Sequence, residues 1–281
     1  MTEIVTNFSQ RSLATAVKAN LYQFFHFMRH SEQAIVRESQ HGFNWLTRIP
    51  HPWFNGVIAT RPPDSEASRM VQETVDYFQA NDVAGFTWWP APELETAVWR
   101  QQLQAHGFSF DSNTPGMAMD LTRLPDSAPT PGAIRRVEEL QTLTEWSRIF
   151  VRGFAMPEAM APSFLAFFAG LGTSLPLRHY LGYVDGRPVA TSTLYLAAGV
   201  AGIYNIATVP AARGQGVGSA MTLLPLHEAR EMGYRAGILQ SSEMGYPVYK
   251  RLGFAEVCRM DHFYWQAANA VGGNGRNHKA P

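Results

Sequence analysis

The stretch Arg213-Gly214-Gln215-Gly216-Val217-Gly218-Ser219 is the part of this chain whose residue types most directly imply chemistry. It follows an apolar run with strand character, Gly202 to Thr208, and it opens a helical pattern that continues to about Met232. Glycines at such a turn let the main chain approach a ligand closely and expose several N–H groups. At a helix start those groups and the macrodipole together attract an anion, and a pyrophosphate is the natural guest. A P-loop would need a lysine before the Ser, and Gly218-Ser219 has none. A dinucleotide fingerprint, G-x-G-x-x-G/A, starts at neither Gly214 nor Gly216. A ligand-free helix start is the bland alternative. It is disfavoured because three glycines cost backbone entropy with no visible packing benefit.

Other reactive side chains are sparse. His26 and His30 share a helix face, but no third ligand or general base accompanies them, so no metal is expected. Cys258 stands alone, which excludes a disulfide framework, and it reads as a small buried apolar residue. The chain has 23 basic and 23 acidic residues, a charged fraction of 16% and a hydrophobic fraction of 46%. That composition supplies a core and excludes global disorder. Arg135, Arg136 and Arg148 are too few for a nucleic-acid patch, and a neutral chain has no electrostatic reason to coat an anionic membrane. No run approaches the ~18 apolar residues of a membrane helix. The N-terminus lacks the pattern of a secretory signal, so a cytoplasmic protein is expected.

The elements that position the glycine turn read as an α/β fold. Residues 1 to about 40 look helical, with Leu13, Val17, Leu21, Phe24, Phe25 and Met28 at spacings of three and four. In the second half, 133–137, 179–184, 188–196, 202–208, 236–240 and 255–265 read as strands, with Asp185-Gly186 as a hairpin turn. Helices are expected over 142–151, 161–171 and 247–251. Pro225 inside the helix after the glycine turn predicts a kink or a delayed regular start. Phe150, Phe154, Phe164, Phe167 and Phe168 form an aromatic stripe that reads as core or as a lid. The first half repeats the second in shortened form. Ile58-Ala59-Thr60 echoes Ile206-Ala207-Thr208, Gly107-Phe108 echoes Gly253-Phe254, and Met119-Asp120 echoes Met260-Asp261, in the same order. A period this long means two domains. The expected boundaries are 1–124 and 133–266, joined by the proline-rich 124–132 and followed by a disordered tail, 267–281.

The glycine block resembles motif A of the GCN5-related N-acetyltransferases (GNAT), Arg/Gln-x-x-Gly-x-Gly/Ala. Val248-Tyr249-Lys250-Arg251-Leu252-Gly253-Phe254 is similar to that family's closing signature, a tyrosine four residues before Gly-Phe. The likeness covers about 130 residues, from Ala133 to Trp265. It implies two GNAT-like mixed-sheet repeats, with helices on both faces of each, in tandem. It implies acetyl-CoA as co-substrate, held at Thr208, Val209, Arg213, Gly214, Gln215, Gly216, Val217, Gly218 and Ser219. It also implies that a main-chain N–H on the strand around Ile206 to Val209 polarises the thioester carbonyl.

By the same resemblance Tyr249 is the general acid for the leaving thiolate; without it, Tyr249 reads as a core aromatic. Many relatives carry a glutamate on the strand before motif A, and here that strand has no carboxylate. Glu243 is then the nearest candidate base, with a solvated loop carboxylate as its alternative. Asn205 and Ser242 are expected to touch the acceptor. The first half has no glycine turn after Thr60, and Leu103 stands where Tyr249 stands in the second, so it reads as a degenerate repeat. Phe54, Trp88, Trp89 and Trp99 would be either walls of the acceptor cleft or core. The implied reaction is acetyl or short acyl transfer to a primary amine of a small molecule, in a ternary complex. A non-catalytic acyl-CoA sensor is the alternative, and a Rossmann-type oxidoreductase a more distant one. Oligomeric state is left open.

Overall fold

The structure, a computed structural model, describes residues 3–60, 66–90, 96–124 and 132–267. In chain order the elements are α1 (Gln10–Phe27), β1 (Ala34–Ser39), β2 (Gly42–Thr47), β3 (Gly56–Ala59), α2 (Ala67–Ala80), β4 (Gly85–Pro90), α3 (Thr96–Ala105), β5 (Ser109–Asp120) and β6 (Ala133–Val137). They continue with α4 (Leu140–Gly153), α5 (Ala161–Leu171), β7 (Leu177–Val184), β8 (Arg187–Ala197), β9 (Val200–Thr208), α6 (Val217–Glu231), β10 (Ala236–Gln240), α7 (Tyr246–Leu252) and β11 (Ala255–Gln266). This is the mixed α/β architecture expected. The described residues form two compact units: those up to Ser31 with those of Gly116–Cys258, and those of Glu32–Pro115 with those from Arg259 to Ala267.

In the first of these units β6, β7, β8 and β9 run as an antiparallel meander. β9 then pairs in parallel with β10, and β10 pairs antiparallel with the end of β5, Gly116–Asp120. Asp185 and Gly186, at φ +50° and +74°, close the β7–β8 hairpin as read from the sequence. The sheet is covered on both faces. His179 packs against Trp146 of α4, while its neighbour Tyr180 donates to Glu228 of α6 at 2.7 Å. Successive strand residues point to opposite faces, so α4 and α6 lie on opposite sides. The aromatic stripe is core: Phe150, Phe164, Phe167 and Phe168 are buried, and Phe154 is half-buried. Arg136, which carries no patch, is paired with Glu228 at 3.0 Å.

The N-terminal segment departs from expectation. The helix ends at Phe27, a short 3-10 turn covers Met28–His30, and residues 34–39 are a strand. The apolar spacing of three and four stops at Met28. Ile35 and Val36 then favour extended backbone, and a turn at Gln40-His41 folds β1 onto β2. α1 itself packs onto β8 and β9. Asn20 is fully buried there; its Nδ2 donates to the Ala197 carbonyl at 2.9 Å, and its Oδ1 accepts from the Tyr204 hydroxyl at 2.6 Å. Gly202 makes room for it, since a Cβ there would sit 2.3 Å from Asn20 Oδ1.

In the other unit the strand order is β1-β2-β3-β4-β11, followed by the Ser109–Pro115 part of β5. Phe263 of β11 lies opposite Trp88 of β4. Trp88 and Trp99 are fully buried and Phe54 is buried, so these three are core and not cleft walls. Trp89 is half-buried and stacks on His262 with centroids 4.4 Å apart. His262 in turn contacts the Ser112 and Thr114 hydroxyls, which fastens β11 to β5.

The compact units differ from the division at 124 and 133. α1 belongs with the second half, and the final strands change places: β5 pairs with β10, and β11 pairs with β4. Residues 125–131 of the expected linker (124–132) and the tail beyond residue 267 lie outside the described residues. α6 begins at Val217 and is helical through Pro225, so its regular part is not delayed. Among the described residues no helix is long and apolar enough to cross a membrane, and no cluster of three or more potential metal ligands forms.

Replacing Asn20 with Ala would remove one hydrogen-bond partner from the buried Tyr204 hydroxyl and one from the Ala197 carbonyl. A loss of about 1–3 kcal/mol is expected. Thermal unfolding read by circular dichroism should show the lowered Tm, whereas an unchanged Tm would show that α1 is not held by this contact.

Candidate active site

β9 and β10 pair through Gly237↔Ala201 and Ile238↔Gly202, and beyond these rungs they part. The C-terminal ends of parallel strands that separate in this way form a ligand crevice. A cavity of about 420 Å³ lies there. Its walls come from Ile206 and Thr208 of β9, the glycine turn, the start of α6 and Tyr249 of α7.

The turn is built as its residue types imply. A 3-10 turn at Pro210–Ala212 leads into Arg213. Gly214 and Gly216 then adopt φ of +76° and +81°, where L side chains are strained. A Cβ at either would meet no protein atom within 4 Å. These glycines are therefore demanded by backbone conformation, not by packing, and they leave the main chain open to a guest. Gly216 is the N-cap of α6 and supplies no side-chain cap. The first helical hydrogen bond runs from Ala220 to Gly216, so the N–H groups of Val217, Gly218 and Ser219 precede it and point to the helix start. No acidic residue occupies the first turn to compete with an anion.

Tyr249 closes the other side. Gly245 starts α7, and its missing Cβ admits the Tyr249 ring, which would otherwise be 2.7 Å away. Ser242 accepts from the Gly245 N–H at 3.1 Å and lines the cavity. Phe254 packs edge-on against Tyr249 at 5.9 Å. Burial raises the Tyr249 hydroxyl well above the ordinary tyrosine range, so it holds its proton. The other unit repeats the helix end without the phenol: Phe108 N–H bonds to the Leu103 carbonyl as Phe254 N–H bonds to that of Tyr249.

The structure thus brings Thr208, Arg213, Gly214, Gly216, Val217, Gly218, Ser219, Ser242 and Tyr249 to one cavity. Four expected residues do not line it. Val209 is buried, its N–H bonded to the Val189 carbonyl and its carbonyl to the Ala212 N–H. Gln215 is exposed and bonds to the Ala211 carbonyl. Glu243 is exposed. The Asn205 side-chain amide donates to Thr193 at 3.0 Å. The Arg213 side chain also serves the fold, donating to the carbonyls of Thr208 and Gly153. No carboxylate lines the cavity among the described residues.

Gly153 and Met244 line the cavity although no sequence pattern points to them; Phe154 of the aromatic stripe and Val248 of the closing signature line it as well. Gly153 is the last residue of α4. Its missing Cβ lets α4 approach Ala207 of β9, where a methyl would come within 2.6 Å.

Residues 141–254 match the family model described as Acetyltransferase (GNAT) family. This part of the chain is a GNAT domain. The chain is similar in fold to a GCN5-related N-acetyltransferase from Kribbella flavida, with 18% identity and a TM-score of 0.69, over 91% of this chain and 97% of that one. A GCN5-related N-acetyltransferase from Sphaerobacter thermophilus is similar at 16% identity and TM-score 0.57, over 83% and 76% of the two chains. A tandem GNAT protein from the clavulanic acid biosynthesis pathway is similar at 13% identity and TM-score 0.54, over 84% of each chain. Among curated proteins, none matches the sequence. The matched segment of the GNAT domain includes both the glycine turn and Tyr249.

Gly216→Ala forces a left-handed alanine, at a cost of roughly 1–2 kcal/mol, and sets a methyl in the open mouth of the turn. With that methyl in the ligand's path, calorimetry with coenzyme A should show affinity reduced by about tenfold or more, a loss of about 1.4 kcal/mol. Unchanged affinity would place the ligand elsewhere.

Proposed function

We propose that the GNAT domain is a cytoplasmic N-acetyltransferase that moves an acetyl group from acetyl-CoA to a primary amine of a small molecule. The observation that carries this reading is the meeting, in one cavity, of a left-handed glycine turn at a helix start with a buried, protonated tyrosine. The turn suits the diphosphate of coenzyme A, and the gap between β9 and β10 suits its pantetheine arm.

The amine nitrogen attacks the thioester carbonyl carbon in a ternary complex. Negative charge gathers on the carbonyl oxygen and is stabilised by main-chain N–H groups of β9 near Ile206. The tetrahedral intermediate then collapses, and the C–S bond breaks. Tyr249 gives its proton to the leaving sulfur, and the proton shed by the amine nitrogen restores the phenol. The products are an N-acetyl amide and coenzyme A. With no carboxylate on the cavity wall among the described residues, the amine is expected to arrive neutral, and the proton its nitrogen sheds reaches the Tyr249 phenolate by way of solvent.

Tyr249→Phe is expected to lower kcat by about 10²-fold or more and to leave coenzyme A affinity nearly unchanged. Acetyl-CoA turnover over a panel of amines, paired with calorimetry, measures both. Binding without amine-dependent turnover would make the domain an acyl-CoA sensor. Because burial holds the phenol above its ordinary value of 10.0, kcat of the wild type should not decline on its alkaline side up to that pH. An alkaline fall centred well below it would remove Tyr249 from the proton-donor role.

A further inference from the structure

The strand that forms one wall of the cavity is broken in a specific way. β9 pairs with β8 from Val200 to Tyr204, and pairing resumes with Thr191↔Ala207 and Ala190↔Thr208. Asn205 and Ile206 together therefore face the single residue Ser192, which is a β-bulge. Asn205 takes the left-handed conformation, with φ +55°. Of the non-glycine residues Asn is among those that tolerate it best, but such backbone persists only where its surroundings impose it.

Those surroundings are three side chains with no exposed surface: Thr191, Thr193 and His179. The Thr191 hydroxyl donates to the Asn205 carbonyl at 2.9 Å. The Asn205 side-chain amide donates to the Thr193 hydroxyl at 3.0 Å. That hydroxyl lies 2.8 Å from Nδ1 of His179. The imidazole is held between Trp146 and Phe168, with centroids 4.7 and 5.1 Å away. Burial depresses it to about 3, so it stays neutral and carries no proton in the reaction. Its Nε2 has no hydrogen-bond partner. A valine at each threonine and a leucine at the histidine would spare the sheet this buried polarity. The cost is borne at the place where the main chain enters the cavity, since Ile206 follows Asn205 directly and lines it.

We propose that Thr191, Thr193 and His179 are positioning residues for acyl transfer. Through Asn205 they set the direction of the main chain at Ile206, and so aim the amide that meets the thioester carbonyl. Without the clamp the bulge relaxes toward a regular ladder, and the amide turns back to β8. This rests on the acetyltransferase reading of the cavity.

The test uses the full chain with acetyl-CoA labelled with ¹³C at the carbonyl, and it needs no knowledge of the acceptor. In the wild type the bound carbonyl signal should move downfield as the amide polarises it. In Thr193→Val that shift should be lost while coenzyme A affinity, by calorimetry, stays within about twofold, because the glycine turn is untouched. Acetyl-CoA turnover should fall by roughly tenfold to a hundredfold in kcat with little change in KM. Thr193→Ser, which keeps the hydroxyl, should restore both signals. If Thr193→Val does not fold, Asn205→Gly, which accepts the positive φ but lacks the side-chain link, should show the same loss of carbonyl shift. A wild-type shift retained in Thr193→Val, or in a folded Asn205→Gly, overturns the proposal, as does a Thr193→Ser variant as impaired as Thr193→Val. A wild type that gives no heat with coenzyme A fails at the earlier step and brings down the reading of the cavity with it. Normal binding with an indifferent carbonyl signal brings down this inference alone.

Discussion

Two parallel strands that stop pairing are the constraint on which the site depends. β9 and β10 share a short ladder and then separate. The separation leaves main chain in need of partners and opens space for a ligand between the strands. The glycine turn at the end of β9 then supplies N–H groups, and α7 beyond β10 supplies a phenol. One side of the opening thus offers donors to an anion, and the other offers a proton.

Holding such an opening requires rigid flanks. On the β8 side the sheet is stiffened by a buried polar chain, His179–Thr193–Asn205, set in the aromatic packing of α4 and α5. Polar groups inside a core are costly unless bonded, and once bonded they allow few alternatives. Asn20 does similar work from α1, tying Tyr204 of β9 to the β8 backbone. The close approach of α4 to β9 at Gly153, braced by Arg213, completes the frame. Several residues near the turn that resemble cofactor contacts are thus occupied with the protein itself, and the main chain is left to meet the ligand.

The internal repeat explains both a success and a miss. Gly107 and Gly253 end their helices with positive φ, and the same hydrogen-bond pattern follows at Phe108 and Phe254. Leu103 and Tyr249 therefore occupy matching places, and the lack of a phenol in the first half was legible from spacing. The same likeness hid the exchange of last strands. β5 and β11 are of equal length, and length alone does not say which sheet each will join. Partner choice depends on contacts far apart in sequence, where pattern carries little information.

Elements with their own signals were read to the residue or close to it: β6, α5 and β10, the Asp185-Gly186 hairpin, and the glycine turn that opens α6. Turn chemistry, helix periodicity and glycine content act over a few residues, so the chain specifies them wherever it lies. The sequence by itself therefore determined that an anion-binding helix start and a tyrosine exist in one repeat. Only the tertiary structure decided that they face each other, that Asn205 turns toward Thr193 instead of the ligand, and that Glu243 lies outside the cavity. A bulge needs a register between two strands, and a splay needs a partner that ends early. Neither is a property of any single segment.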